Sequence, residues 1–172
     1  MKKWWAVGVL LLGVAAVATW ARAGTAPLPD GTRADRVLVR KSARSLELYR
    51  GGELLRSYRI SLGRHPLGHK QQEGDGRTPE GHYVLDYRKA DSTFHRALHI
   101  SYPSPNDVAS AKARNVAPGG LIMVHGLRND LGFLGRLHRM RDWTDGCIAV
   151  TNSEIDEIAR VVPDGTPIEI EP

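Results

Sequence analysis

The amino-acid sequence predicts a mainly β fold with a few short helices, and three observations carry that expectation. Short apolar runs with strand-like alternation recur along the chain, and clusters of glycine, proline and polar residues punctuate them. Only brief segments combine a helix cap with helical apolar spacing. No internal repeat or low-complexity tract is present beyond the N-terminal apolar run.

That first run stands apart from the fold. Met1-Lys2-Lys3 leads into an apolar stretch from Trp4 to Trp20 and then Ala21-Arg22-Ala23, the charged start, apolar centre and small-residue site of a secretory signal. Cleavage after Ala23 is expected. The alternative is an uncleaved anchor, for which the run lies at the short end of the roughly 17–25 residues a spanning helix needs. In either case the rest of the chain is exported.

Removing residues 1–23 from the 172 leaves 149, which suits one domain with a real hydrophobic core. The signal holds Lys2, Lys3 and Arg22 and no acid, so the formal charge falls from +5 to +2. No clustered basic stripe remains, which argues against a nucleic-acid partner. Residues 24–35, rich in proline, glycine and alanine, are expected to be a tether, and residues 36–172 the domain.

Within the domain, Val37 and Val39 alternate with charged neighbours; Leu46, Leu48 and Tyr49 then lead to Gly51-Gly52, and a run from Leu55 to Leu62 follows. Gly-Gly between two strand-like runs signals a hairpin, so this half reads as an antiparallel meander. Residues 63–81 hold five glycines and two prolines and are expected to form a long mobile loop bordering the functional cleft. Strands are expected from Tyr83 to Tyr87 and from Ala97 to Tyr102. Ser104 caps a short helix with Pro105 in its first position, running to Arg114. Leu121-Ile122-Met123-Val124 reads as a buried strand that delivers His125, and Leu131 to His138 as a helical turn. Thr151 or Ser153 caps a last helix to about Val162, with Ile155, Ile158, Val161 and Val162 on its inner face. A turn over 163–167 and a strand from Ile168 to Ile170 close the chain.

Cys147 is the one cysteine of an exported chain, so it has no internal disulfide partner and is either an inert buried thiol or a reactive one. A thiol attacks only as thiolate, and its free pKa near about 8.5 demands a base or a positive neighbour. His125 at a strand end can serve as that base, with the carbonyl of Gly126 holding its tautomer as the third member of a triad. Gly146 permits a tight elbow that exposes the sulfur and aims backbone N–H groups at a developing oxyanion.

Three motifs in order make this more specific: Gly74-Asp75-Gly76-Arg77-Thr78-Pro79-Glu80-Gly81, Ile122-Met123-Val124-His125-Gly126 and Thr144-Asp145-Gly146-Cys147-Ile148. Together they resemble the L,D-transpeptidase (YkuD-like) catalytic domain over residues 36–172. The resemblance implies a β-sandwich-like fold and an acyltransferase acting on peptidoglycan stem peptides, without a cofactor, in the remodelling of the wall that sets cell shape. Cys147 would be the nucleophile, His125 the general base and acid, and Gly126 the donor of the orienting carbonyl. Gly146 and Cys147 would lend N–H groups to the oxyanion hole, with Thr144 and Asp145 completing the elbow. A monomer in the periplasm or cell envelope is expected.

The chain also departs from that pattern. Asp145 stands where the family usually has histidine, and Ala149 where an arginine or asparagine is common. Arg141 and Arg139 are candidates to replace the lost cation, and His99 and Thr78 are further candidates for substrate contact. Asp145 is expected to point away from the sulfur, toward backbone or an arginine such as Arg141. The Trp143-Thr144-Asp145-Gly146-Cys147-Ile148-Ala149 variant resembles a branch associated with hydrolysis of the bond between peptidoglycan and an outer-membrane lipoprotein, which makes hydrolase the alternative activity. A non-catalytic wall-binding module is the rival from another class, and thiol reactivity separates them. His65 and His69 are too isolated in a flexible loop for a metal site, so none is expected.

Overall fold

The structure is a computed structural model that describes residues 26–89 and 91–172; the expected signal lies outside the described residues. In chain order the strands are β1 (Arg36–Arg40), β2 (Ser45–Arg50), β3 (Glu53–Arg59), β4 (Gly81–Arg88), β5 (Ala97–Ile100), β6 (Met123–His125), β7 (Ile148–Ala149) and β8 (Thr166–Glu171). The helices are α1 (Pro105–Ala113) and α2 (Asn152–Val161), with a 3-10 segment over Gly132–Met140 that breaks at Gly135.

β1, β2 and β3 form the expected antiparallel meander, with Val39 opposite Leu46 and Leu46 opposite Tyr58. The C-terminal strand β8 lies parallel to β1 and antiparallel to β4, so the chain's end sits in the middle of the sheet. The order is β3-β2-β1-β8-β4-β5-β6-β7. The two outer edges then meet: Ser61, just beyond β3, and Ala149 of β7 exchange N–H···O bonds of 2.9 and 2.8 Å. The sandwich-like form is thus one sheet curled onto itself, which covers edges that would otherwise present unpaired backbone.

The interior is built from Val37, Val39, Leu46, Leu48, Leu85, Leu98, Val124, Ile148, Ile168 and Ile170, all at most 2 % exposed. α2 lays Ile155, Ile158 and Val161 onto this core, each burial worth roughly 1.5–3 kcal/mol. Thr151 rather than Ser153 is its N-cap, in a capping box with Glu154; Ser104 and Asp107 form the same box at α1.

The tether expectation needs correcting for residues 26–35. Leu28 and Ala34 belong to the core, the Leu28 N–H donates to Glu157 at 2.6 Å, and the Ala34 N–H donates to the Val161 carbonyl at 2.8 Å. Prolines and glycine here shape a strap over α2, with two small apolar anchors too few to register as core in the sequence. The strand leading to His125 is also shorter than expected: Leu121 is 65 % exposed with φ +54°, and pairing begins at Met123.

Candidate active site

Cys147 sits immediately before β7 on an elbow that its neighbours dictate. Gly146 has φ +128°, and a Cβ there would lie 2.6 Å from the Arg77 carbonyl oxygen, so only glycine fits. Thr144, buried, donates its hydroxyl to the Cys147 carbonyl at 2.7 Å and accepts the Gly146 N–H at 3.2 Å. That second bond corrects one expectation: the Gly146 N–H is engaged within the elbow, and an oxyanion would have to displace Thr144 to use it.

The sulfur is half-buried between two backbone groups. It donates toward the Leu121 carbonyl at 3.7 Å and accepts the Met123 N–H at 3.4 Å. The uncommon positive φ of Leu121 turns that carbonyl to the thiol. Burial pushes the thiol above its ordinary value, against the Met123 N–H and the ammonium of Lys70, so it rests protonated.

His125 lies on the same sheet face. β6 and β7 pair Val124 with Ile148 and His125 with Ala149, so Cys147 falls beside Met123, one step of the alternation away from His125. The His125 Nδ1 stands 2.6 Å from the Gly126 carbonyl, which can only accept; the proton is therefore on Nδ1 and Nε2 is the free base. Gly126 is required by space, since a Cβ would meet the His95 carbonyl oxygen at 2.5 Å. Burial drives the imidazole down to about 4, against the Gly126 bond. Phe94 and Trp143 rings pack on it at 4.2 and 5.8 Å. Thiol and imidazole are both neutral at rest, and no hydrogen bond joins them among the described residues.

The loop over 63–81 borders the elbow, through Arg77, but it is extensively tied. Asp75 accepts from the backbone of Gln71, Gln72 and Arg77 and from Lys70, and the Lys41 ammonium reaches the carbonyls of Gly68 and Thr78 and the Glu80 carboxylate. Thr78, expected at the substrate, is fully buried with its hydroxyl accepting the Gly63 N–H at 3.1 Å; it anchors this loop.

The charged candidates separate. Asp145 points to solvent and pairs with Arg64 rather than Arg141. Arg141 is exposed and Arg139 is committed to Glu154, beside the cap of α2. His99 does face the site's side of the sheet, opposite Met123, and so roughly 10 Å from Cys147 at about 4.8 Å per strand. Its Nδ1 is 2.7 Å from Asp86 and its ring stacks on Tyr87.

Sequence reading missed Leu121, Met123, Phe94, Arg64, Lys70 and His138. His138 carried a signal only in its closeness to Trp143, whose indole N–H donates to the His138 Nδ1 at 3.4 Å. Ser61 lies 3.3 Å from the same nitrogen, so the proton sits on Nε2, which is buried with no partner among the described residues. Burial, aided by Arg139, lowers His138 to about 4. Among the described residues no group of three or more His, Cys, Asp or Glu is arranged to hold a metal.

Comparison with known proteins identifies the family of the domain. The profile of the L,D-transpeptidase catalytic domain, YkuD, matches residues 34–170. The chain is 33 % identical over 132 residues to YafK of Escherichia coli (strain K12), provisionally described as an L,D-transpeptidase, covering 73 % of this chain and 46 % of that protein. It therefore spans about half the length of the curated relatives it matches. Among solved structures, the helical cell shape determining protein Pgp2 of Campylobacter jejuni superposes with a TM-score of 0.61 at 24 % identity, over 90 % of this chain and 53 % of that one. An L,D-transpeptidase from Mycobacterium smegmatis gives 0.53 at 16 %, over 81 % and 59 %, a likeness of fold. A lone thiol on a glycine elbow, a buried imidazole tied to the next residue's carbonyl, and a matching profile across the described domain lead to one conclusion: this chain belongs to the L,D-transpeptidase catalytic-domain (YkuD) family.

Proposed function

We propose that the protein is a cysteine acyltransferase of the cell envelope that opens peptidoglycan stem peptides through a thioester on Cys147. The observation that carries this reading is the state of His125: neutral, its Nδ1 fixed by Gly126 at 2.6 Å, and its basic Nε2 on the sheet face that carries the thiol. A neutral base beside a neutral thiol suits transfer of the proton as substrate arrives, rather than a standing ion pair.

The sulfur first leaves the Leu121 carbonyl and turns to Nε2, which takes its proton. The thiolate attacks the carbonyl carbon of the third stem residue, and the Cys147 N–H supports the oxyanion. Collapse breaks the carbon–nitrogen bond, and the imidazolium returns the proton to the departing amine of the terminal D-alanine. An amine or a water, deprotonated by the same imidazole, then attacks the thioester and restores the thiol. Transfer, hydrolysis and release of a wall-linked lipoprotein share this thioester and differ in the amine that leaves or the nucleophile that resolves it.

Incubation of the purified protein with tetrapeptide muropeptides, with and without an added acceptor amine, tests the reading. D-Alanine release and a tripeptide adduct on Cys147 by intact mass are expected, and the product formed with the amine present distinguishes transferase from hydrolase. Absence of both adduct and D-alanine would overturn it.

A further inference from the structure

The sheet face that holds the thiol carries a second cluster of polar and aromatic side chains. β4 and β5 pair Leu85 with Ile100 and Arg88 with Leu98, so that two residues of β4, Asp86 and Tyr87, stand against the single His99 of β5. This two-against-one irregularity is a β-bulge, and it re-aims side chains that strict alternation would send to opposite faces. Asp86 and Tyr87 are accordingly both exposed, at 40 % for the Asp86 side chain and 42 % for Tyr87, and both touch His99.

The three side chains are ordered by one another. The His99 Nδ1–H donates to Asp86 at 2.7 Å, and the imidazole stacks on the Tyr87 ring with 4.4 Å between centroids and 19° between planes. The second Asp86 oxygen, the Tyr87 hydroxyl and the His99 Nε2 have no partner among the described residues. Val84, two residues before Asp86 on the same face of β4, adds apolar surface at 36 % exposure. An aromatic face beside hydrogen-bonding groups with spare capacity is matched to a sugar. A pyranose ring presents C–H groups that are drawn to the negative face of an aromatic ring, and hydroxyls that donate to a carboxylate and to an imidazole nitrogen.

The strand register fixes how far this platform lies from the sulfur. His99 is opposite Met123, and Met123 falls beside Cys147, so the platform continues the row of the thiol. His99 is two strands away and Asp86 and Tyr87 are three, roughly 10 and 14 Å at about 4.8 Å per strand. A stem peptide that reacts at its third residue is joined to its sugar through the first, and three extended residues reach roughly 10 Å at ~3.3–3.6 Å each. With the reacting carbonyl at the sulfur and the peptide laid along this row, the sugar arrives at the platform. We propose that Asp86, Tyr87 and His99 form a saccharide subsite that holds the amino sugar bearing the donor stem, so that the protein recognises the glycan strand as well as the peptide. This subsite rests on the thioester reading above.

The test compares two donors with the same blocked N-terminus, an N-acetylated tetrapeptide stem and the same tetrapeptide carried on its N-acetylated disaccharide. Release of D-alanine by the full chain is measured for wild type, Tyr87→Phe, Tyr87→Ala and Asp86→Ala, with thermal melts for each. Wild type is expected to prefer the disaccharide donor in kcat/KM by roughly tenfold, the range of one stacked ring and one hydrogen bond to a charged group. Tyr87→Ala should bring the ratio near one by raising KM on the disaccharide donor, since contacts remote from the reacting atoms act in ground and transition state alike. Tyr87→Phe should keep most of the preference. A wild-type ratio near one, or a Tyr87→Ala variant that retains the preference, overturns the proposal. So does a Tyr87→Ala variant that slows both donors equally, which would show that the platform binds the peptide, through an amine for instance, or only supports the sheet. Should Tyr87→Ala not fold, Asp86→Ala decides in its place: a ratio lowered severalfold supports the subsite and an unchanged ratio sinks it. Wild-type protein inert on both donors overturns the thioester reading itself, a result distinct from turnover without discrimination.

Discussion

The two ends of the sheet are built differently. β1, β2, β3, β8 and β4 run five to eight residues each, and their inward positions are filled by Val37, Val39, Leu46, Leu48, Ile168 and Ile170. β5, β6 and β7 run only four, three and two residues, and the groups buried around them include Ser61, His125, His138, Thr144 and Thr151. The long end is held by area removed from water, which tolerates any well-packed apolar side chain. The short end depends on polar groups that each need a named partner, because an unpaired one costs about 1–3 kcal/mol. The candidate site lies where the backbone is pinned by such pairs.

Replacing the sulfur breaks the contrast most sharply. Cys147→Ala should abolish thioester formation and turnover, a loss on the order of 10⁴ or more, while the melting temperature moves little. Retained D-alanine release would refute the nucleophile. At the other end Leu46→Ala should do the reverse. It empties a fully buried site and should cost about 2–5 kcal/mol in urea unfolding, with kcat of the folded protein unchanged. A fall in kcat at low denaturant would show that the two ends are coupled.

Acid should act through the short end. His125 and His138 sit near 4 in the fold against an ordinary 6.5, so between those values the unfolded chain binds more protons. Stability is full above about 6.5 and is lost as pH falls toward 4, by at most on the order of 3 kcal/mol per histidine. Asp75, held near 2, is protonated only below this window. Denaturant melts from pH 8 to 4 should show the decline, and His138→Gln should lessen it; a flat profile would contradict the burial of neutral imidazoles.

The smallest effect is expected at the rim. Asp145 is exposed and pairs with an exposed Arg64, a class of ion pair that contributes little. Asp145→Asn should lose at most about tenfold in rate, equivalent to about 1.4 kcal/mol. A loss approaching that of Cys147→Ala, with a shifted pH–rate profile, would place this carboxylate in the proton machinery instead.

What the amino-acid order determined by itself is local. Ser104 and Thr151 cap helices through bonds to the third residue onward, Gly51-Gly52 turns one hairpin, and alternation marks the meander; each signal acts over a few residues and needs no distant partner. The expectations that failed were decided at long range. Leu28 enters the core only because α2 lies beneath it, and β8 reaches the sheet's centre only because β1 and β4 leave a gap of matching register. The same holds at the site: Gly126 and Gly146 announce tight backbone, but which face His125 shares with Cys147 follows from β6–β7 pairing. Thr78, Arg139 and Asp145 look alike as polar loop residues. Tertiary structure alone buries the first against Gly63, ties the second to Glu154 and leaves the third in solvent, because charge and hydroxyl partners are assigned by packing and not by spacing.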